Sequence, residues 1–351
     1  MAMVHTLIDG SFLEGGGQIL RNSVSLSALL LKPVSIHKIR RNRSPPGLKN
    51  QHRTGCSKQV DYDVSHFLFT GLELAAKIAS ARLTGAQNKS QDIEFIPGRI
   101  CLPNHYSADT VTAGSVTLLL QVALPLLLFS HLSVPASTLT LHGGTNALLA
   151  PQVDYTKNIL LPFIRKHLRV DNVSLHIAKR GYFPKGGGEV SLNVTPLCGT
   201  QKLQSFSLID RGKVKWIAGI AHFASLPNVV ADGIIRGAKR KLAAAGYVGG
   251  DESISAADTP GLLKEIRDVP IQISSMREPF KLTTGAGSGI VLWAELDGGG
   301  IIGGSAVGSK GVDPEKTGEQ AADELIRGLN EGGCVDEVMQ LTWSFVSLIS
   351  E

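Results

Sequence analysis

The sequence contains two copies of one order of elements, and this repetition limits the chain to a small set of folds. Each cycle is about 80 to 90 residues long and reads helix, strand, Gly- and Pro-rich polar loop, helix, strand. The first cycle begins near residue 8 and the second near residue 110. The helices follow from apolar residues at helical spacing, and the strands from alternating or continuous apolar runs. We therefore expect an α+β protein with an internal duplication.

The first cycle has a glycine turn between its first strand and first helix. Glu14 stands directly before three glycines, and Gln18 then opens the helix. Backbone N–H groups at a helix start with no Cβ nearby are suited to anion binding. Glu14 has two interpretations, either favouring the helix dipole or ligating a hard metal ion such as Mg²⁺. The run of glycines alone is weak evidence for a phosphate-binding loop, because it matches neither the GxGxxG nor the GxxxxGK[ST] motif.

An arginine cluster follows the predicted strand that comes after this helix. Arg40, Arg41 and Arg43 lie in a loop that Pro45 and Pro46 stiffen. Guanidinium groups match phosphate oxygens bidentately, so a phosphate site is one interpretation. A solvated basic strand end is the other, and the spacing leaves both open. In the later segment RGYFPKGGGE, Lys185 has the same two interpretations.

Composition indicates a globular chain without a membrane span. Of the 351 residues, 43% are hydrophobic, the net charge is +5 and the pI is about 9.0, which mildly favours a polyanionic partner. The most apolar run, 116–129, is too short to cross a bilayer and contains Gln121 and Pro125, which favours a buried helix. No cleavable signal precedes Asp9. Four distant cysteines with no CxxC pair predict a reducing compartment and no zinc site.

The domain prediction places a large domain at residues 1–200, with both cycles and the start of a third. Residues 56–70 lack a clear period and are interpreted as an insertion, after which a helix resumes at Gly71. A change of composition predicts an inserted small α+β domain at 201–298. The third cycle then resumes over 299–337, and 338–351 form an atypical tail that leaves this cycle incomplete.

Five motifs together resemble the RNA 3'-terminal phosphate cyclase family: in order, LEGGGQILR, KIRRNRSPPGLKNQH, TAGSVTLLLQ, GGTNALLAPQVDY and RGYFPKGGGEV. The resemblance implies repeated βαβαββ units, like the C-terminal domain of translation initiation factor three and related to enolpyruvyl transferases, with a thioredoxin-like inserted domain. It implies a reaction in which ATP adenylates an enzyme histidine and AMP passes to an RNA 3'-phosphate. The neighbouring 2'-hydroxyl then displaces AMP to form a 2',3'-cyclic phosphate.

The same resemblance implies roles for individual residues. It makes Glu14 the metal-contacting carboxylate for Mg²⁺ or Mn²⁺ and places Gln121 and Pro151 beside ATP, Pro151 as one face of the adenine slot. The residues implied to handle the RNA 3'-phosphate end are Arg21, Arg40, Arg43, Gln51 and His52. Taken alone, a histidine such as His52 near a loop is more typical of a structural role. The family also implies nuclear residence, whereas the oligomeric state is left open.

Departures from the family pattern lie at the end of the sequence. No histidine follows His222, so the family's adenylated histidine has no counterpart here. The expected aromatic, acidic and amide residues are replaced by Val338, Leu341 and Thr342. We therefore predict weak or absent self-adenylation.

Two other interpretations follow from related proteins. One is a non-catalytic RNA-binding or ribosome-biogenesis factor of the cyclase-like branch. That branch lacks the glutamate of EGGGQ and the Gln-His pair, whereas Glu14, Gln51 and His52 are present here. The other is an enolpyruvyl-transferase-like enzyme, which would need two similar large domains. The different composition after Gln201 argues against it.

Overall fold

Three four-stranded mixed sheets form the framework of the part of the chain that the structure describes. The structure is a computed structural model and describes residues 5–12, 16–42, 44, 46–48, 64–87, 89–129, 134–197, 203–249 and 267–340. The side chains of the α2 helix are described from residue 69 onward. This mixed α and β architecture confirms the predicted α+β class.

The first sheet has strand order β1-β2-β4-β3. Its strands are β1 (Thr6–Asp9), β2 (Val34–His37), β3 (Arg82–Thr84) and β4 (Ile93–Ile96), with helices α1 (Gly17–Leu30) and α2 (Val64–Ile78) between them in the chain. β1 and β2 are parallel, and the other two pairs are antiparallel. A helix joins the parallel strands because such a connection must cross the length of the sheet.

The second sheet has order β5-β6-β8-β7 and the same pattern of pairing. Its strands are β5 (His105–Asp109), β6 (Ser137–Gly143), β7 (Val173–Lys179) and β8 (Gly188–Val194). Helix α3 (Val116–Leu128) joins β5 to β6. After β6 comes one continuous helical stretch made of α4 (Val153–Tyr155), a π-helical turn (Thr156–Leu160) and α5 (Leu161–Leu168).

Residues at matching positions of these two sheets have the same partners. Asp9 and Asp109 end the first strand of each sheet, and each carboxylate accepts the backbone N–H two residues later, at 2.9 and 2.6 Å. In the parallel register these aspartates pair with His37 and His142. The duplicated order of elements in the sequence therefore has a counterpart in three dimensions.

The two histidines extend the correspondence to the antiparallel neighbour strand. Nδ1 of His37 lies 2.9 Å from an Asp92 carboxylate oxygen, and Nδ1 of His142 lies 3.8 Å from Glu189. His142 and Glu189 are direct cross-strand partners. Each sheet thus carries an aspartate, a histidine and a second acid across its parallel and antiparallel pairs.

Helix α2 begins seven residues earlier than the sequence predicts. It starts at Val64 rather than Gly71, so the second half of the predicted 56–70 insertion is helical. Gly71 lies inside this helix, where a Cβ would lie 3.7 Å from side-chain carbons of both Leu119 and Val122 of α3, an ordinary contact. Residues 49–63, and with them the rest of the predicted insertion, lie outside the described residues.

The third sheet has order β12-β9-β13-β14. Its strands are β9 (Val214–Ala224), β12 (Ile271–Glu278), β13 (Gly287–Leu296) and β14 (Ile301–Val307). β9 and β12 are parallel, and the other pairs are antiparallel. The two-residue strands β10 (Tyr247–Val248) and β11 (Arg267–Asp268) pair separately.

Helices α6 (Asn228–Ala244) and α7 (Pro314–Asn330) cover one face of the third sheet. Ile217, Ile290 and Ile302 of the sheet and Ile234 and Leu325 of the helices belong to one buried core. The helices approach closely where small residues face each other. A Cβ on Gly318 would overlap the Ile234 carbonyl, and one on Gly237 would overlap the Glu315 carbonyl. The helical stretch from α4 to α5 covers the other face, where a Cβ on Gly303 would lie 2.6 Å from the Tyr155 ring.

The described residues divide into two compact units, which differ from the predicted domains. One holds residues 5–145 and 170–203, the other residues 146–169 and 204–340. The stretch from α4 to α5, placed in the 1–200 domain by the sequence, groups with the third sheet because Gly303 leaves room for it. The predicted boundary at 298/299 falls between β13 and β14, which are paired strands. Residues 341–351 lie outside the described part.

Within the described residues, the helices are too short or too polar to be membrane-spanning segments.

Candidate functional site

The first candidate site lies beyond the carboxyl ends of the parallel strands β1 and β2. The register pairs Asp9 with His37, so the glycine turn after β1 and the arginine loop after β2 leave the sheet side by side. Ligands of sheets with parallel strands bind beyond these ends. Helix α1 begins at Gly17, after Gly16 in an extended conformation, which leaves the N–H groups of its first turn at the same edge.

A lysine holds the strand ends together. Nζ of Lys38 donates to Asp9 Oδ2 at 2.7 Å, and the Ser11 hydroxyl donates to Oδ1 at 2.6 Å. These two donors, Lys38 first, hold the pKa of the Asp9 carboxyl far below its usual range. Asp9 is thus an anion already neutralised by Lys38.

Arg40 is a buried cation in the loop after β2. Its side chain is only 8% exposed, whereas the next residue, Arg41, is exposed. The backbone of Arg40 is left-handed, with φ at 53°. Burial of a guanidinium is costly unless anionic or polar groups surround it. The contrast with Arg41 distinguishes Arg40 from a solvated basic strand end, the alternative interpretation of this cluster.

Backbone hydrogen bonds fix the loop that carries Arg40. Ile39 N–H donates to Gln91 O at 2.9 Å, and Gly47 N–H donates to Ile39 O at 3.0 Å. Gly47 has φ at 80°, and a Cβ there would lie 2.5 Å from the Lys89 carbonyl oxygen. Glycine is therefore required at this position, and the residues Ile39 and Gly47 on either side of the loop are held by backbone hydrogen bonds.

Arg21 lies on the second turn of α1, in the same unit. Its side chain is partly buried, and burial of the guanidinium lowers its pKa to about 10. A group with this pKa stays protonated at neutral pH. Gln121 lies on α3, which packs on α1 through a hydrogen bond from the Ser25 hydroxyl to Val122 O at 3.1 Å. The structure therefore places three predicted site residues, Arg21, Arg40 and Gln121, in one unit.

The other predicted residues of this site are not described. Glu14, Arg43, Gln51 and His52 lie outside the described residues, so their positions remain predictions. No group of three His, Cys, Asp or Glu side chains that could hold a metal ion occurs within the described ranges. The predicted metal role of Glu14 therefore has no described partner carboxylate.

Sequence reasoning missed a buried arginine in the second sheet. Arg180 follows β7 and is 1% exposed, whereas Lys185, which the sequence suggested, is exposed. The adjacent Gly181 packs directly on Gly143, because a Cβ on Gly181 would lie 2.4 Å from the carbonyl oxygen of Gly143. A basic residue immediately before a tightly packed glycine was the available sequence indication. Arg180 is thus a second interior cation of the first unit.

In the second unit, Pro151 lies in a loop whose two ends are buried. Asn146 and Gln152 lie at the two ends of the loop, and both are buried. The Asn146 side-chain amide donates to Gln152 Oε1 at 2.9 Å and to Asp154 Oδ2 at 3.0 Å. Between these ends Pro151 is partly buried, and Leu149 is 81% exposed with φ at 59°. The loop therefore projects from a fixed base.

Strand β9 supplies the third side chain that contacts the loop ends, His222, which is fully buried. Its Nε2 lies 2.8 Å from Gln152 Oε1 and 3.7 Å from Asp154 Oδ2. Across the strand pair, Gly289 leaves room for the imidazole, because a Cβ there would lie 2.7 Å from Cε1. No motif in the sequence singled out His222; the available indication was a polar ring inside an apolar run.

Comparison with known proteins gives consistent results along the chain. A family model described as RNA 3'-terminal phosphate cyclase matches residues 12–59 and 64–350. A protein named probable RNA 3'-terminal phosphate cyclase from Dictyostelium discoideum is 36% identical over 338 residues, covering 95% of this chain and 68% of the relative. Proteins named RNA 3'-terminal phosphate cyclase from Thermococcus kodakarensis and Drosophila melanogaster are 34% and 35% identical over 332 and 338 residues. Both matches cover 95% of this chain, and 82% and 80% of those relatives.

Proposed function

The chain belongs to the RNA 3'-terminal phosphate cyclase family, and from this premise we propose that it recognises RNA ending in a 3'-phosphate. The complete reaction would convert that end to a 2',3'-cyclic phosphate at the expense of ATP. In the proposed sequence, an enzyme residue takes AMP from ATP and releases pyrophosphate. The RNA 3'-phosphate then takes AMP from the enzyme. Attack by the 2'-oxygen on the 3'-phosphorus expels AMP, and the hydroxyl proton leaves to a base.

The observation that best supports this proposal is that one unit holds two cations with restricted exposure, the buried Arg40 and the partly buried Arg21. A terminal phosphate carries nearly two negative charges, which repel an incoming oxygen. Guanidinium forks that contact its oxygens would reduce this repulsion and hold the phosphorus in place. The N–H groups at the start of α1 would add to this binding. We propose that Arg43, Gln51 and His52 complete the RNA-end contacts.

For the nucleotide, the family resemblance leads us to propose that Pro151 forms one face of the adenine slot and that Gln121 contacts ATP. A divalent ion, Mg²⁺ or Mn²⁺, would bind through Glu14 and phosphate oxygens. The described residues offer no carboxylate cluster for such an ion, so we assign no step of the reaction to it.

The test of phosphate recognition is binding of a 5'-labelled oligonucleotide with either a 3'-phosphate or a 3'-hydroxyl. The proposal expects the phosphorylated form to bind about tenfold more tightly or better, since hydrogen bonds to charged groups are strong. Equal affinity for the two ends would contradict it. Cyclisation is then measured with ATP as protection of the 3'-phosphate from phosphatase.

We also propose that this 351-residue chain does not adenylate itself, because no histidine follows His222 in the sequence. Incubation with radiolabelled ATP and Mn²⁺, followed by denaturation, measures acid-labile AMP on the protein. The expected result is no adduct. An adduct would overturn this part of the proposal, and His52 would be the first residue to substitute.

A second candidate is a non-catalytic RNA-binding or ribosome-biogenesis factor of the cyclase-like branch. The presence of Glu14, Gln51 and His52 favours cyclase ancestry instead. Binding of 3'-phosphate ends without any cyclisation, combined with stable association with large RNAs, would favour this alternative. Nuclear residence remains a proposal under either function.

For the fold, we propose that the first two sheets are repeats of one βαβαββ unit and that residues around the third sheet form a thioredoxin-like module. The shared strand order and the matching Asp9 and Asp109 turns support the repeat. The strand order β12-β9-β13-β14, with helices on both sheet faces, supports the module.

A further inference from the structure

The base of the Pro151 loop is a closed hydrogen-bond network of buried side chains. The side-chain nitrogen of Gln152 donates to two backbone carbonyls, Ile290 O and Ala306 O, both at 3.1 Å. These carbonyls belong to β13 and β14, so the end of the loop is tied to two strands of the third sheet. Every polar atom of the Gln152 side chain therefore has a protein partner.

This network determines which nitrogen of His222 carries a proton. Exchanging the oxygen and nitrogen of the Gln152 amide would place its oxygen against two carbonyl oxygens, so the amide orientation is fixed. Its Oε1 then faces Nε2 of His222 at 2.8 Å, and this contact is a hydrogen bond only if Nε2 donates. His222 therefore carries its proton on Nε2 and donates it to Gln152.

Asn146 closes the network without competing for that proton. Its side-chain nitrogen has two hydrogens, and two acceptors lie within range, Gln152 Oε1 and Asp154 Oδ2. Its 3.1 Å approach to His222 Nε2 is then a contact between two donors that share the Gln152 acceptor. The loop ends are joined to each other and, through Gln152 and His222, to three strands.

We infer that Asn146, Gln152 and His222 form a loop clamp that positions Pro151 against the adenine of bound ATP. Residues 147–151 have an exposed tip at Leu149, which has a left-handed backbone, whereas both ends are buried. A loop fixed in this way loses little conformational entropy when a flat base docks on its proline. His222 is thus a positioning residue that acts through Gln152. This inference rests on the proposed function, because the ligand is the nucleotide of that reaction.

The test compares the unmodified chain with His222→Ala, His222→Gln and Ile217→Ala. His222→Ala removes the hydrogen-bond donor to Gln152. His222→Gln restores a donor, because the glutamine amide nitrogen lies about as far from Cα as Nε2 of histidine. Ile217→Ala is the matched control, since Ile217 is a buried β9 residue of the α6–α7 core. It lies an odd number of residues from His222 and therefore faces the opposite side of the sheet.

Four quantities are measured for each protein: the melting temperature, the hydrogen exchange of the peptide spanning 146–152, and the Kd values for ATP and for a 3'-phosphorylated oligonucleotide. His222→Ala should speed exchange of the peptide and raise the ATP Kd about tenfold, while the oligonucleotide Kd stays unchanged. His222→Gln should restore both the exchange rate and the ATP Kd. Ile217→Ala should lower the melting temperature without changing either Kd.

Two results would overturn the loop clamp as a positioning device. One is an unchanged ATP Kd in His222→Ala despite faster exchange of the loop peptide. The other is an equal rise of the ATP Kd in Ile217→Ala, which would make the effect a general loss of stability. If the unmodified chain bound no ATP, the nucleotide part of the proposed function would fail and the clamp's ligand with it. That failure is distinguishable, because the unmodified chain binds ATP in both results above.

Discussion

Arg40 and Arg41 are adjacent arginines with different surroundings. Arg40 is buried in a loop held at both ends by backbone hydrogen bonds, whereas Arg41 is exposed to solvent. An exposed arginine interacts with a ligand through a screened charge, while a buried one can keep a fixed, poorly hydrated fork for phosphate oxygens. If Arg40 binds the terminal phosphate as proposed, substitution of each arginine separates phosphate recognition from the effect of total charge.

We expect Arg40→Ala to weaken binding of a 3'-phosphorylated oligonucleotide by about ten- to a hundredfold, the range for a lost hydrogen bond to a charged group. Arg41→Ala is the control and should change the affinity by less than about threefold. Fluorescence anisotropy of a labelled oligonucleotide measures both. Equal losses for the two variants would show that the loop acts only through its total charge.

The Glu324 carboxyl should make the free energy of unfolding depend on pH. Burial, together with nearby Asp336, raises the pKa of the Glu324 carboxyl above its ordinary value of 4.5. The folded state then holds the proton more tightly than the unfolded state. Stability from this group is full below pH 4.5 and is lost as pH rises through the raised folded pKa.

Glu324→Gln should remove the loss of folding stability at higher pH, because a glutamine carries no titrating proton. Its amide oxygen can still accept from Ser305 N–H, a bond of 2.9 Å in the native chain. The variant should therefore unfold at higher denaturant concentration than the native chain at pH 7.5, with little difference at pH 4. Exposed Glu331→Gln controls for the loss of one negative charge. Urea titrations at the two pH values give the comparison, and a variant less stable at pH 7.5 would refute the prediction.

At the scale of elements, glycines decide how closely helices pack. Gly71 in α2 and Gly237 in α6 are both inside helices, where glycine costs roughly 0.5 to 1 kcal/mol relative to alanine. Their surroundings differ. A Cβ on Gly71 would meet Leu119 and Val122 at 3.7 Å, an ordinary contact, whereas one on Gly237 would lie 2.0 Å from the Glu315 carbonyl oxygen.

The same substitution should therefore have opposite effects at the two positions. Gly71→Ala should stabilise the protein by roughly 0.5 to 1 kcal/mol, since helix propensity improves and the contact is unstrained. Gly237→Ala should destabilise it by roughly 1 to 3 kcal/mol, because α6 and α7 must separate. Denaturant unfolding monitored by circular dichroism measures both changes. Destabilisation by Gly71→Ala would mean that α2 and α3 lie closer than the structure shows.

At the scale of the whole molecule, the count of 35 lysines and arginines overstates the number of cations available to RNA. Helix α6 presents several cations, but they are paired with α7. Arg240 contacts both Glu315 and Glu319, at 2.5 Å each, and Arg236 contacts Glu315 at 3.2 Å. These exposed pairs neutralise a surface that the sequence alone presents as basic.

The salt dependence of RNA binding tests this distribution of charge. Replacing Arg236 and Arg240 by glutamine should leave the oligonucleotide affinity and its salt slope unchanged. Arg40→Ala should instead reduce the slope of log K against log salt by about 0.7, the value for one phosphate contact on a single strand. Binding measured from 50 to 300 mM KCl gives the slopes. A reduced slope in the α6 double variant would identify α6 as an RNA contact.

The sequence by itself determined most of the elements and their order, and it showed the arginine cluster. The two similar cycles form sheets of identical strand order. Local periodicity is sufficient for this, because the spacing of apolar residues sets which face of each element is buried. The arginine cluster was equally visible, since three cations in one loop require no knowledge of distant residues.

Only the tertiary structure decided which elements pack together and which polar residues become interior. Gly303 admits the helix that begins at Val153, and Gly289 admits the His222 ring, so both choices depend on the absence of one Cβ on a distant strand. The loop clamp joins positions 146, 152 and 222, whose contact depends on shape and hydrogen-bond satisfaction across the fold. Sequence periodicity contains no information of this kind, because it describes each element alone and not the surface it meets.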